Sequence, residues 1–297
     1  MNQNIPQFLI EMLNKQYDEN ITNKIIDGFN QNRPVTFRVN TLKTTADDVC
    51  HTLDKLNFKY EKISWSNEAI MIRNVQERQI QELDIYKNGE IYLQSLSSML
   101  PPIILNPKPE TDILDMAAAP GGKTTQLAAL TQNKAHITAC EMNKLRAERL
   151  KYNVEKQGAS CVYVMLQDAR RIDDFFLFDN ILLDSPCSGS GTLNANFENR
   201  FTMKLIEKST KSQLSLLRKA IKILKPGHEM VYSTCSILQC ENEDIVNKVL
   251  KEENVEIVPI EFEGMGDIPQ LPTKIDGTLC VCPTELYEGF FVVKLRK

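Results

Sequence analysis

The sequence is short of the features that mark several protein classes. No apolar run approaches the roughly 18 residues a membrane span needs, so no transmembrane helix and no membrane partner are expected. There is a single Trp, and the three histidines, His51, His136 and His228, lie far apart. No cysteine pair has the C-x2-C spacing of a zinc site. Cys280-Val-Cys282 is too close for a common zinc knuckle, so no metal is expected. No internal repeat or low-complexity segment is evident. Residues 1–16 have no basic region before their short apolar stretch, which argues against a secretory signal. A reducing cytoplasm is the expected location. The eight cysteines then read as free thiols, because a 297-residue chain buries enough core to fold without staples.

Positive charge is also in deficit. The net charge of −4 weighs against a nucleic-acid partner, since phosphate binding is largely electrostatic. Its distribution works the other way. Between Arg200 and Lys225 there are eight basic residues against one acid, Glu207. A second basic cluster is Lys144, Arg146, Arg149 and Lys151. Acids concentrate in Glu241–Asp244 and Glu252–Glu263. One face can be positive while the sum is negative.

The chain changes character near residue 105. Before it, helical patterns at about 5–30 and 45–56 mix with strand-like runs at Val35–Asn40, Lys59–Ile63 and Ala69–Ile72. That mixture predicts a small α+β domain over residues 1–105. Asn106-Pro-Lys-Pro-Glu110 is the junction, since two prolines disfavour helix or central strand. Over residues 106–297 strands and helices alternate. Strands are predicted at Thr111–Met116, Ala135–Glu141, Cys161–Leu166, Phe178–Asp184, His228–Ser233, Val255–Pro259 and Gly289–Leu295. Helices are predicted at Gly122–Thr131, Asn143–Gln157, 201–223 and Glu241–Lys251. The pattern is that of an α/β domain, a parallel sheet with helices on both faces. Ligands of such sheets bind beyond the carboxyl ends of the strands.

The residues after those strands are chemically distinctive. Asp115-Met-Ala-Ala-Ala-Pro-Gly-Gly-Lys-Thr124 follows the first. Its small residues let a ligand approach the backbone, and the next helix offers free N–H groups. Two readings compete. One is a P-loop with Ala117 in place of its first glycine and Asp184 as a magnesium carboxylate. The other is a nucleoside-binding turn opened by Asp115. Glu141 closes the second strand, placed to bond ribose hydroxyls. Asp168 follows the third, placed to accept from an adenine amino group. Three acids on successive strand ends are better explained by one nucleoside than by three solvated termini. Asp184-Ser-Pro-Cys187-Ser-Gly and Tyr232-Ser-Thr-Cys235-Ser follow the next two strands. Both cysteines should therefore lie at one rim.

These motifs, in this order, resemble the Nop/Sun-domain family of RNA (cytosine-5) methyltransferases. The resemblance rests on Asp115–Thr124, Asp184-Ser-Pro-Cys187-Ser-Gly, and Ser233-Thr-Cys235-Ser with Glu241-Asn-Glu243 after it. Weaker matches are Arg38-Val-Asn-Thr-Leu-Lys43, Gln94-Ser-Leu-Ser-Ser98 and Gly289-Phe-Phe-Val-Val-Lys294. The resemblance implies a Rossmann-like class I methyltransferase sheet behind a small N-terminal RNA-binding domain, with S-adenosylmethionine as cofactor. It implies a cofactor set of Asp115, Ala117, Ala118, Pro120, Gly121, Gly122, Lys123, Glu141, Arg146, Asp168 and Asp184. It implies a catalytic set of Cys235 as nucleophile, Cys187 assisting product release, Asp184 and Lys123. Ser185 stands where the family often has a small apolar residue, and Glu141 where an Asp is common.

Two cysteines suit such chemistry. Carbon 5 of cytosine is a weak nucleophile until a thiolate adds to carbon 6, which is covalent catalysis. A helix start expected within a few residues of Cys235 would favour its thiolate. The base must be unstacked. The expected partner is transfer or ribosomal RNA, and the compact form favours transfer RNA. The enzyme is expected to be monomeric. The rival readings are a P-loop nucleotide hydrolase and a non-catalytic RNA-binding protein on the same fold.

Overall fold

A computed structural model describes residues 5–193 and 201–297. Arg200, the first member of the larger basic cluster, lies outside the described residues. Two helices open the chain, α1 (Gln7–Gln16) and α2 (Glu19–Phe29). The sequence suggested one helical stretch here. It is broken because Asp18 is extended and caps α2, accepting from Ile21 N–H. Then come β1 (Val35–Val39), α3 (Ala46–Lys55), β2 (Tyr60–Ile63), β3 (Ser66–Ile72), α4 (Glu77–Gln81), α5 (Asp84–Lys87), β4 (Ile91–Leu93) and α6 (Leu96–Leu105). Strands β2-β3-β1-β4 form an antiparallel sheet in that order.

The second half holds β5 (Asp112–Asp115), α7 (Gly122–Leu130), β6 (His136–Glu141), α8 (Lys144–Gln157), β7 (Val162–Leu166), β8 (Phe178–Asp184) and α9 (Met203–Ile223). It ends with β9 (Leu224–Thr234), α10 (Glu243–Glu252), β10 (Glu256–Val258), β11 (Leu279–Val281) and β12 (Phe290–Arg296). The sheet order is β10-β12-β9-β8-β5-β6-β7, with β11 also paired to β12. This is a Rossmann-like arrangement, but the sheet is mixed. Strands β5 to β9 run parallel, while β12 enters antiparallel to β9, β10 and β11. The wholly parallel sheet expected from alternation fails at this edge, where no helix separates β11 from β12. Strand β9 also starts earlier than expected, directly after α9. Phe178 pairs with Leu224 and Asn180 with Glu229, so the extra residues bulge out. That bulge houses Pro226 and Gly227, the latter at φ 78°.

The cores do not follow chain order. Leu9, Leu13, Tyr17, Ile25 and Phe29 from α1 and α2 join the core around Tyr232 and Phe291 of the large sheet. Leu96, Met99 and Leu100 of α6 pack under its other face with Leu182 and Val231. The small sheet has its own core, including Phe37, Leu53, Ile70 and Ile91. Among the described residues no helix is long and apolar enough to cross a membrane.

Candidate active site

The carboxyl ends of β5, β6, β8 and β9 converge on one rim. Strand β5 ends at Asp115, 1% exposed. Its Oδ2 accepts from Thr124 Oγ at 2.7 Å, while its Oδ1 is buried with no partner. Burial pushes this carboxyl up to about 6; the Thr124 bond opposes the shift and nearby Asp184 adds to it. The turn after it reverses at Gly121, whose φ of 111° suits only glycine. Two α8 side chains grip the turn's carbonyls: Arg146 Nη2 donates to Ala119 O at 2.9 Å and Asn153 Nδ2 to Pro120 O at 2.8 Å.

Glu141 ends β6 and is nearly buried. One oxygen accepts from Asn143 N–H at 2.8 Å, and the other lies 3.4 Å from Arg146 Nε. Asp168 is gripped by Arg170, with Nε at 2.9 Å and Nη2 at 2.6 Å. That contact holds its carboxyl below the usual range. Ala117, Glu141, Arg146, Gln167, Asp168 and Pro186 line one cleft. Asp115, Ala117, Ala118, Pro120, Gly122, Lys123 and Asp184 line a second, roofed by Tyr92, Gln94 and Ser98.

Asp184, at the end of β8, sits between two donors. Lys123 Nζ is 2.7 Å from Oδ2, and Ser233 Oγ donates to Oδ1 at 2.8 Å. Lys123 also donates to Ser98 Oγ at 2.7 Å. Beyond Asp184, Cys187 Sγ and Cys235 Sγ are 2.9 Å apart, both on half-buried residues. The Cys187 thiol is pushed well up by its bond to Cys235, by burial and by Glu241.

The loops carrying the cysteines are tied by Glu241, which is fully buried. Its carboxylate accepts from Ser188 N–H (2.8 Å), Ser188 Oγ (2.5 Å) and Ser236 Oγ (2.6 Å). Gly191 N–H donates to Cys235 O, and Gly289 packs on Gly191 so closely that a Cβ at Gly191 would meet Gly289 O at 2.0 Å. Gln16 of α1 reaches the same loop. Its Nε2 donates to Ile237 O and its Oε1 accepts from Gln239 N–H, both at 2.9 Å. The helix expected from Glu241, a few residues after Cys235, begins at Glu243 as α10, behind a 3-10 turn at Gln239–Glu241.

The sequence reading overlooked Gln16 and gave Glu241 no role. Gln16 has no local signal, as its partners lie over 200 residues away. Glu241 had one, an acid inside a Ser/Thr/Cys-rich stretch. The weaker motifs turn out to join the two sheets. Arg38 Nη2 donates to Thr125 Oγ at 3.2 Å, Asn40 Nδ2 to Gln157 O at 2.8 Å, and Lys43 Nζ to Lys156 O at 2.7 Å. The basic cluster on α9 divides in two. Arg218, Lys219, Lys222 and Lys225 are paired with Glu252, Asp174 and Asp179. Lys204, Lys208 and Lys211 stay exposed on the first half. Among the described residues no cluster of His, Cys, Asp and Glu could hold a metal.

The clefts suit a nucleoside with a cationic or hydroxyl-bearing body. Asp115 offers an orphan oxygen, and Glu141 and Asp168 add acids. A triphosphate would meet three carboxylates, and the lysine a P-loop needs is already bound to Asp184. Such a rim on a Rossmann-like sheet is that of the class I methyltransferase fold, and its residues fit S-adenosylmethionine. The chain belongs to the 16S rRNA methyltransferase RsmB/F family, whose model matches residues 102–296; the ferredoxin-like domain of RsmF/B-like methyltransferases matches residues 5–77. A ribosomal RNA small subunit methyltransferase F from Shewanella loihica is 35% identical over 274 residues, covering 88% of this chain and 56% of that protein. The chain thus spans about half the length of the curated relatives it matches. A methyltransferase homolog from Pyrococcus horikoshii is 31% identical with a TM-score of 0.82, covering 99% of this chain and 100% of that one. The NSun6 structure from the same organism, with SFG, has a TM-score of 0.88 at 24% identity over 98% of each chain, a likeness of fold.

Proposed function

We propose that this protein methylates carbon 5 of a cytosine in small-subunit ribosomal RNA through a covalent adduct on Cys235. The observation that supports this most is the pair of sulfurs, 2.9 Å apart, beside the Lys123–Asp184 ion pair. Either sulfur can be the donor in that contact, and Cys235, by the Thr-Cys-Ser resemblance, is the one that attacks. Cys235 then adds to carbon 6 of the ring. Asp184 holds the Lys123 ammonium beside the ring, where its positive charge offsets the negative charge that builds up toward nitrogen 3. S-adenosylmethionine, when bound, supplies an electrophilic methyl group. Asp115 and Glu141 orient that cofactor's body, the first by its unpartnered oxygen and the second at the ribose. Asp168 receives the adenine amino group, and Arg146 keeps the turn in shape through Ala119. Once a base takes the proton from carbon 5, the C–H electron pair re-forms the ring double bond, the Cys235–carbon 6 bond breaks to return the thiolate, and Cys187 assists that release.

Lys204, Lys208 and Lys211, exposed and without an ion pair among the described residues, offer the phosphate contacts an RNA needs. Residues 1–105 supply the small α+β unit beside the catalytic residues 106–297. The names of the relatives favour ribosomal over transfer RNA, against the expectation from compactness. The test is to incubate the protein with total RNA from cells lacking it and map new 5-methylcytosines. New sites are expected in small-subunit RNA; their absence from every RNA would defeat the reading.

A further inference from the structure

Among the described residues, strand β7 is the last strand of the large sheet and pairs only with β6. An uncovered edge strand is a template for another strand. Val162-Tyr-Val-Met-Leu166 carries no charge, bulge or proline to discourage pairing. It is also apolar at its rim: Tyr163 is 66% exposed, and Phe175 on the next loop is 93% exposed. A cleft opens on each face. One lies between β7 and α8; the other, beside Met165, is walled by Phe176 and Leu177.

The charges on α8 say what fits there. Lys144, Glu148, Lys151 and Glu155 rim the first cleft, and their spacing puts them on one helix face. None of the four has an ion-pair partner among the described residues, although α9 pairs three of its own bases, Arg218, Lys219 and Lys222. The order plus, minus, plus, minus is complementary to itself when reversed. A twofold axis passing between Arg149 and Leu150 sets Lys144 against Glu155 of a second copy, and Glu148 against its Lys151. The same axis through Val164 pairs the two β7 strands antiparallel. The spans are comparable: Lys144 to Glu155 covers about 17 Å of helix, and Val162 to Leu166 about 13 Å of strand.

We infer that β7 and α8 form a homodimer interface, the two sheets joining edge to edge about a twofold axis with the α8 helices antiparallel above. Such an isologous contact closes on itself. It replaces the expectation of a monomer and leaves the cysteine rim uncovered. It does not depend on the reaction proposed above.

The test is a charge swap read by sedimentation of the intact protein. The wild type should be dimeric at ~100 µM, where a Kd of ~10 µM leaves most chains paired. The double variant Lys144→Glu with Lys151→Glu has four acids on this face and should be monomeric. Glu148→Lys with Glu155→Lys should be monomeric for the converse reason. Mixed one to one, the two should recover the wild-type mass. A monomeric wild type overturns the inference. So does a wild-type dimer that both variants keep, or a mixture that stays monomeric although each variant melts as the wild type does.

Discussion

The two sides of the candidate site are built on opposite plans. On the cysteine side, a single buried carboxylate, Glu241, gathers donors from both cysteine loops, and Gln16 ties the second loop to α1. The Glu241 carboxylate and the Gln16 amide there have their partners within the protein, while the buried Ser185 hydroxyl has none among the described residues. On the cofactor side, Asp115 keeps an orphan oxygen, and Glu141 and Asp168 are parked on arginines. The difference teaches which side is preorganised. The two sulfurs are held before any ligand arrives, whereas Asp115, Glu141 and Asp168 have interactions to complete or exchange on binding.

The strongest break of this contrast is Glu241→Gln. It removes the charge behind three buried hydrogen bonds and sets an amide donor against a hydroxyl. We expect a loss of about 3 kcal/mol in stability and a fall of ~100-fold in kcat, with cofactor affinity unchanged. Unfolding curves and calorimetry check both halves; a cofactor-binding defect equal to the kcat defect would erase the distinction between the sides.

Asp115→Asn should act the other way. In the ligand-free protein Asp115 ionises at about 6 instead of 3.8. Its raised value means that stability from this group is lost as pH rises from about 4 to about 6. Above that the cost is constant, on the order of 3 kcal/mol. The Asn variant should melt higher than the wild type at pH 7.5 while binding S-adenosylmethionine ~10-fold more weakly. In the wild type, affinity should fall as pH drops below about 6. Equal melting temperatures, with an affinity flat from pH 5 to 7.5, would remove the case for a strained cofactor acid.

A smaller effect sharpens the same contrast. Gln16→Ala removes two hydrogen bonds to the loop after Cys235 without touching either cleft. A several-fold drop in kcat is expected, of order 1 kcal/mol, at constant KM for S-adenosylmethionine. Rescue by Gln16→Glu should be poor, since a carboxylate cannot donate to Ile237 O. Unchanged kcat in both variants would make Gln16 a packing residue only.

Much of the large sheet was legible in the sequence because periodic apolar strands and helices are local signals. So were the positions of Asp115, Glu141, Asp168, Asp184, Cys187 and Cys235, since a parallel sheet puts consecutive strand ends at one rim. Three things were not. The antiparallel entry of β12 needs pairing information that strand patterns lack. Helix α6 contains Pro101 and Pro102, which mask its helical character, yet it supplies Ser98 to Lys123. The Gln16 contact joins segments 221 and 223 positions apart, and no periodicity reports such a distance.

The most direct test of the central claim is covalent trapping on small-subunit RNA with S-adenosylmethionine, read on a denaturing gel. If Cys235 attacks and Cys187 assists release, Cys187→Ala accumulates a protein–RNA adduct and Cys235→Ala forms none. An adduct that appears with Cys235→Ala and not with Cys187→Ala would contradict the assignment.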